Sequence, residues 1–217
     1  MKYKRLNQNT YAFWLIPKSA SMKPISDEEM LWRKTLSNHR SMEYEHSRGY
    51  LRETLSQIWD MPPLGIPLNA PPGKPPILPS GMGFVSISHC IDCLLIGWSI
   101  EKIGVDLERA DRSFNAPKIM FNFYSHKENL LLNNFKGEEL RKKVLKYWVS
   151  KEAAIKCQKG VIFKDIKNWF YSERNNTIIN KLEFKKNFSL FINYKDWYIS
   201  IASKNCLKDV SSIMCTY

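Results

Sequence analysis

Eight of the eleven prolines fall between Pro62 and Gly81, and no other stretch restricts the fold as much. Proline has a fixed φ and no amide hydrogen, so a segment this rich in it can be neither a helix interior nor a central strand. Such a composition serves as a domain linker or as a proline-rich ligand segment. Leu64, Ile66, Leu68, Ile77 and Leu78 are interleaved with the prolines and are apolar enough to dock on a core, which favours an ordered, extended segment crossing the surface. Lys74, between Gly73 and Pro75, is then held on stiff backbone.

This segment separates a mainly helical region from one that is richer in strands. Before it, Tyr11 to Ile16 is bulky and β-prone and is followed by a loop from Pro17 to Pro24. Ser26-Asp-Glu-Glu has the hydroxyl cap and first-turn acids of a helix start, and the helical pattern continues to about Trp59. Tyr50, Leu51, Leu55, Ile58 and Trp59 recur at three- and four-residue steps and leave Arg48, Arg52 and Glu53 off the apolar stripe. After it, Phe84 to Ser88 and Leu94 to Ile100 read as strands joined by a turn at Ile91-Asp92, with a third at Ile103 to Leu107. Leu140 to Cys157 reads as a helix, with Leu140, Val144, Leu145, Trp148 and Ile155 on one side and Arg141, Lys142, Lys143 and Lys146 on another. Strands are expected at Val161–Asp165, Trp169–Ser172, Thr177–Ile179, Leu182–Phe184, Phe188–Tyr194 and Trp197–Ala202. FSLFINYKDWYISIAS echoes FVSISHCIDCLLIGWS as strand, turn, strand, each downstream of a long helix. The expected fold class is α+β, with a duplicated plan of two similar lobes.

The 217 residues, 44% of them hydrophobic, can bury ~70% of the surface of the unfolded chain without metal or disulfide staples. Lys plus Arg is 33 against 21 for Asp plus Glu, a net charge of +12, so an anionic partner is expected. Nucleic acid, an acidic membrane surface, a polyphosphate and an acidic protein all satisfy that charge, which acts on encounter and not on fold. No apolar run approaches the roughly 20 residues needed to cross a bilayer. Lys2, Lys4 and Arg5 precede an apolar piece too short for a signal sequence. Five cysteines, an odd number, read as reduced thiols in a cytoplasmic protein.

In IGVDLER the alternation points Ile103, Val105 and Leu107 to one face and Asp106 and Glu108 to the other. Two carboxylates ~7 Å apart repel by roughly 2 kcal/mol at an effective dielectric of 20, so a cation is expected between them. An all-oxygen site of one or two carboxylates suits magnesium; the alternative is an exposed edge strand with Arg109 neutralising the pair. In KYWVSKEAAIK, Trp148, Glu152 and Lys156 lie at successive four-residue steps with Lys151 adjacent. Glu152 and Lys156 also have the favoured orientation of an ordinary helix ion pair. Ser88-His89 ends a strand, where a hydroxyl and an imidazole suit a phosphate contact better than a nucleophilic dyad lacking an orienting acid. Cys90 and Cys93 form a CxxC with no second pair to complete a zinc site, and like Cys157, Cys206 and Cys215 they read as core or turn residues. Gly81-Met-Gly83 lacks the rest of a dinucleotide loop, and no Walker A sequence is present.

Taken together, Gly73-Lys-Pro75, FVSISH at Phe84 to His89, IGVDLE at Ile103 to Glu108 and WVSKEAAIK at Trp148 to Lys156 resemble the 4′-phosphopantetheinyl transferases. The resemblance covers about residues 30 to 203 and is nearest to the large, monomeric, surfactin-synthetase-activating (Sfp) type. It implies transfer of the phosphopantetheine arm of coenzyme A to a serine of an acidic acyl or peptidyl carrier protein, with release of adenosine 3′,5′-bisphosphate. It also implies two pseudo-symmetric lobes, 1–102 and 103–217, each a long helix on a small antiparallel sheet, with the active site in the cleft between them. By this match Asp106, Glu108 and Glu152 hold Mg²⁺, and Glu152 takes the serine proton, holds the metal, or does both. Lys156 and Lys151 sit near the diphosphate, Ser88 and His89 contact the coenzyme's phosphates, and Lys74 and Arg48 contact its nucleotide end. Arg33 and Lys34 lie where further 3′-phosphate contacts are expected, Glu128 matches a family acid before the catalytic helix, and Trp148 packs under the site. The carrier is expected to dock near residues 111 to 135. The resemblance implies neither a nucleic-acid nor a membrane partner. The rival reading is a basic, non-catalytic nucleic-acid-binding module; a metal-dependent phosphodiesterase would share the carboxylates but not explain the SxSH and GKP elements.

Overall fold

A computed structural model describes residues 10–207 and the backbone of 214–216, apart from the side chains of residues 162 and 163. Lys2, Lys4, Arg5 and the side chain of Cys215 lie outside the described residues. Strand β1 (Tyr11–Pro17) runs antiparallel to β3 (Cys93–Ser99), and β3 runs antiparallel to β2 (Phe84–His89). Strand β9 (Met214–Thr216) lies parallel to β1, completing a four-stranded sheet of order β2-β3-β1-β9. The second sheet has five antiparallel strands in the order β4-β8-β7-β6-β5, namely Ile103–Arg109, Trp197–Ser203, Lys185–Tyr194, Thr177–Asn180 and Trp169–Ser172. The fold class is α+β.

Alternation in β1 sorts its side chains between two cores. Ala12, Trp14 and Ile16 pack with Leu51, Leu55 and Ile58 of helix α2 (Asn38–Trp59). Phe13 and Leu15 face the other way and join Leu95, Val105, Leu107, Ile199 and Ile201 in a cluster that sandwiches the two sheets together. On the far side of the second sheet, Ala153, Ala154 and Ile155 of helix α5 (Gly137–Cys157) pack with Trp169, Tyr171, Ile178 and Ala202. Each sheet therefore carries one long helix.

The helical region before residue 60 is two helices and not one. Helix α1 (Asp27–Arg33) is capped by Ser26 in a reciprocal box with Glu29, and α2 begins afresh behind Ser37. Glu29 is 1% exposed and accepts from Arg52 Nε at 2.7 Å, so the break lets α1 fold back onto α2. Arg52 also donates to the carbonyl of Ile66 at 2.9 Å, tying the proline-rich segment to the same helix. That segment is ordered, with Ile66, Leu68 and Leu78 buried in the α2 core, while Leu64 and Ile77 stay exposed.

Residues 111 to 135 contain two helices that apolar spacing did not announce, α3 (Ala116–Phe123) and α4 (His126–Leu132). Two of the expected strands are absent. Residues Ile162–Asp165 form a short helix, α6, whose Asp165 carboxylate accepts from the amide of Val161 at 2.7 Å. Leu182 to Phe184 is a turn, closed by Asn180 Oδ1 accepting from the amides of Leu182 and Glu183. Among the described residues no helix is long and apolar enough to cross a membrane.

Candidate active site

Helix α5 lies directly on strand β4, and Gly104 makes that possible. A Cβ at this position would stand 2.0 Å from the carbonyl oxygen of Ala153 and 2.3 Å from the amide nitrogen of Cys157. The alternation that turns Gly104 toward α5 turns Asp106 the same way, against a helix face that presents Glu152 and, one turn later, Lys156. Asp106 is 2% exposed, and its Oδ1 accepts from Lys156 Nζ at 2.6 Å and from Ser88 Oγ at 2.7 Å. Lys156 Nζ also donates to Ser88 Oγ at 3.0 Å and lies 3.9 Å from Glu152 Oε2. Asp106 Oδ2 is buried and has no hydrogen-bond partner among the described residues.

The SxSH pattern has a second use that residue chemistry alone did not disclose. Strands β2 and β4 are the facing edges of the two sheets. The amide of Val105 donates to Ser86 Oγ at 3.0 Å and that of Leu107 to Ser88 Oγ at 3.3 Å. Two serines, one pleat apart, satisfy edge amides that would otherwise be buried unpaired. Ser88 thus locks the sheets together and orients Asp106 with the same oxygen.

Burial, then the neighbouring charge of Asp106, raises the pKa of Glu152 to about 8. Burial, with Asp106 again contributing, also lifts that of Glu108, although its carboxylate pairs with Arg112. At Lys156 burial opposes the charge, but Asp106 and Glu152 outweigh it and raise the pKa. Arg109 does not neutralise this cluster; it bridges Asp92 at 2.9 Å and Asp111 at 2.6 Å on the outer side. Asp106 and Glu152 thus share the Lys156 ammonium, while Glu108 pairs with Arg112.

As they stand, no three His, Cys, Asp or Glu side chains among the described residues are grouped closely enough to hold a metal ion. The donor chemistry nevertheless fits a hard divalent cation. The available ligands are all oxygen, one is the unpartnered Asp106 Oδ2, and the two flanking carboxyls have their pKa values raised by mutual repulsion as well as burial.

The cluster forms one wall of a cleft of about 410 Å³. The wall formed by α2 and the proline-rich segment is mainly cationic: Arg40 and Arg48, with Tyr44 between them at four-residue steps on α2, and Lys74, against the single carboxylate of Glu43. Arg48 is fixed by donating to the carbonyl of Ala70 at 3.0 Å, with its guanidinium 4.6 Å from the centre of the Tyr44 ring. Lys74 follows Gly73, whose φ of +72° suits glycine. His89 is half-exposed at the rim, 3.7 Å from Glu43, which accepts from Lys18 at 2.6 Å. Partial burial, reinforced by nearby Lys18, Lys156 and Arg48, holds the His89 pKa below the usual value despite Glu43. The cleft therefore gathers Arg48, Lys74, Ser88, His89, Asp106, Glu108, Glu152 and Lys156 from five segments of sequence. Sequence reasoning missed Arg40, Glu43 and Tyr44, although Arg40 and Tyr44 precede Arg48 at helical spacing.

Lys151 is not brought to the cleft. It is fully buried on the other side of α5, 3.0 Å from Glu128 Oε2 and over the Tyr124 ring. Glu128, also fully buried, accepts from Ser125 N and Oγ at the start of α4 and from the amide of Tyr171. This acid therefore has a structural role, joining α4, α5 and β5. Arg33 is engaged with Glu45 at 2.9 Å and, like Lys34, does not line the cleft. Trp148 packs edge-to-face on Phe123 against the core of the second sheet and does not line the cleft. Cys90 and Cys93 are buried thiols whose pKa values burial raises to about 11 and about 12, which makes them poor nucleophiles.

Residues 102–204 match the sequence profile of the 4′-phosphopantetheinyl transferase superfamily. The matched stretch contains Asp106, Glu108, Glu152 and Lys156, whereas Arg48, Lys74, Ser88 and His89 precede it. A comparison with curated proteins found no match. Through residues 102–204 the chain belongs to the 4′-phosphopantetheinyl transferase superfamily.

Proposed function

We propose that this protein transfers the 4′-phosphopantetheine arm of coenzyme A to a serine hydroxyl of an apo acyl or peptidyl carrier protein, releasing adenosine 3′,5′-bisphosphate. Superfamily membership supports phosphopantetheine transfer in general. The observation that carries the fuller reading is a cleft with a cationic wall facing a buried carboxylate cluster. A polyanionic nucleotide fits the first wall and proton transfer the second.

In this reading Arg40, Arg48, Lys74 and His89 hold the nucleotide and its phosphates. Asp106, Glu108 and Glu152 hold Mg²⁺, which offsets charge on the diphosphate when bound. The carrier serine oxygen forms a new bond to the phosphorus bearing the pantetheine arm, and the bond from that phosphorus to the bridging diphosphate oxygen breaks. Glu152 accepts the serine proton, a role suited to a carboxyl whose pKa is raised toward neutrality. Lys156, held by Asp106 and Ser88, stands where it compensates charge on the leaving phosphate. Ser88 keeps Asp106 in place.

The same proposal places the protein with the large, surfactin-synthetase-activating type, as a cytoplasmic monomer whose lobes divide near residue 102. The test is incubation with coenzyme A, Mg²⁺ and a panel of apo carriers, followed by intact-mass measurement. The expected result is a carrier heavier by one arm, abolished by Asp106→Ala in a protein with unchanged circular dichroism. No transfer to any carrier would overturn the reading, and an unaffected rate in Asp106→Ala would remove the metal assignment.

A further inference from the structure

Beyond the cleft, a groove of about 530 Å³ opens where the end of α5, the β3–β4 turn, the start of β7 and the end of β8 meet. Four lysines line it: Lys102, Lys185, Lys186 and Lys204. The single carboxylate among its lining residues, Glu101, already accepts from Asn205 Nδ2 at 2.6 Å. Beneath the lysines lies Asn187, which is 0% exposed. Its Oδ1 accepts from Gln158 Nε2 at 3.1 Å, but its Nδ2 has no partner among the described residues. A buried amide donor without an acceptor is costly and calls for an explanation.

We propose that this groove is a second anion site, taking a phosphate-class oxyanion. Lys185 is paired with Glu183 at 2.8 Å; Asn187 Nδ2 and the ammonium groups of Lys102, Lys186 and Lys204 can only donate, so a complementary ligand must accept and carry negative charge. Several donors converging from separate elements suit a tetrahedral phosphate, which offers multiple terminal oxygens, better than a single carboxylate. The groove shares no lining residue with the transfer cleft. The two are connected by an intervening cavity of about 430 Å³, which shares Lys74 and Lys156 with the cleft and Phe84 and Lys102 with the groove. The anion is therefore either free phosphate or a phosphate of a nucleotide that extends along this path.

The side-chain amide of Asn187 can report on the site directly. In ¹⁵N–¹H spectra of the full chain, its NH₂ pair is identified by its loss in Asn187→Asp, and is followed at constant ionic strength during titration with inorganic phosphate, coenzyme A or dephospho-coenzyme A. The expected result is a saturable shift that chloride does not produce, with affinity weakened at least about tenfold in a Lys102→Gln/Lys186→Gln/Lys204→Gln variant. These lysines are exposed, so the variant keeps the fold. A shift with inorganic phosphate assigns free phosphate; a shift with coenzyme A but not with dephospho-coenzyme A or inorganic phosphate assigns the 3′-phosphate. No saturable shift with any of the three, or one unchanged in the lysine variant, overturns the proposal.

Discussion

Replacing Lys151 with methionine separates a structural lysine from a substrate-binding one. Lys151 and Glu128 are both 0% exposed, and the carboxylate receives donors at 2.9, 2.8, 3.1 and 3.0 Å from Ser125 N, Ser125 Oγ, Tyr171 N and Lys151 Nζ. Burial lowers the lysine pKa against the pull of Glu128, a sign of how much the pair depends on its partner. Methionine keeps the apolar stem but leaves a buried carboxylate without its counter-ion, a change that costs ~3–5 kcal/mol. The three remaining donors put the expected loss at the low end, about 3 kcal/mol. In a chain of this size that is a fall in Tm of about 6–12 °C. Urea unfolding followed by tryptophan fluorescence measures it, since Trp148 and Trp169 belong to the adjoining core. The KM for coenzyme A, measured on the folded protein, should stay within about twofold of the parent. A Glu128→Gln/Lys151→Met variant should be less destabilised than the sum of the two single variants, because the stranded charge is gone. Stability within about 0.5 kcal/mol of the parent, together with a tenfold rise in KM, would refute the argument and return Lys151 to the diphosphate.

Gly104→Ala should drive α5 off β4 and cost about 1–3 kcal/mol, with transfer rate falling by more than the loss of folded protein explains; an unchanged rate would show that the β4–α5 spacing does not set the geometry of Asp106 and Lys156. Ser86→Ala should lower the unfolding free energy by about 1–3 kcal/mol although Ser86 does not line the cleft, because it leaves the Val105 amide unpaired; a neutral result in urea would show another group taking over. For Glu152, a folded pKa of about 8 lies above the ordinary 4.5, so folding favours the protonated carboxyl. Its contribution is complete below pH 4.5 and is lost as pH rises through 8. The metal-free protein should therefore show a declining urea midpoint across that interval, flattened in Glu152→Gln; an equal decline in the variant would assign it elsewhere.

The site was legible where period-two spacing met a buried surface. In IGVDLER, Val105 and Leu107 enter the inter-sheet core as the alternation requires, which leaves Asp106 no direction but toward α5. The four-residue step from Glu152 to Lys156 likewise survived, because a helix face is a local property. What escaped depended on partners distant in sequence. Lys151 is adjacent to Glu152, yet it turns away because the buried acceptor on Glu128 lies on the far side of the helix. The break between α1 and α2 depends on Glu29 finding Arg52, which no local propensity encodes. The Leu182–Phe184 and Val161–Asp165 segments are apolar enough for strands, but side-chain oxygens of Asn180 and Asp165 close them locally first. The signals for α3 and α4 were present in Asn115 before Pro117 and in the Ser125–Glu128 box; they act at helix starts and not through an apolar stripe.

The serine seam between β2 and β4 also bears on how the protein behaves among its own copies. An edge strand whose amides point outward is a template on which another chain can build, the usual beginning of aggregation through strand addition. Strand β4 is an edge by its ladder, but the amides of Val105 and Leu107 are occupied from inside the same molecule by Ser86 and Ser88. A protein whose cleft lies beside this edge thus withholds it from its neighbours, using two hydroxyl groups in place of a covering helix.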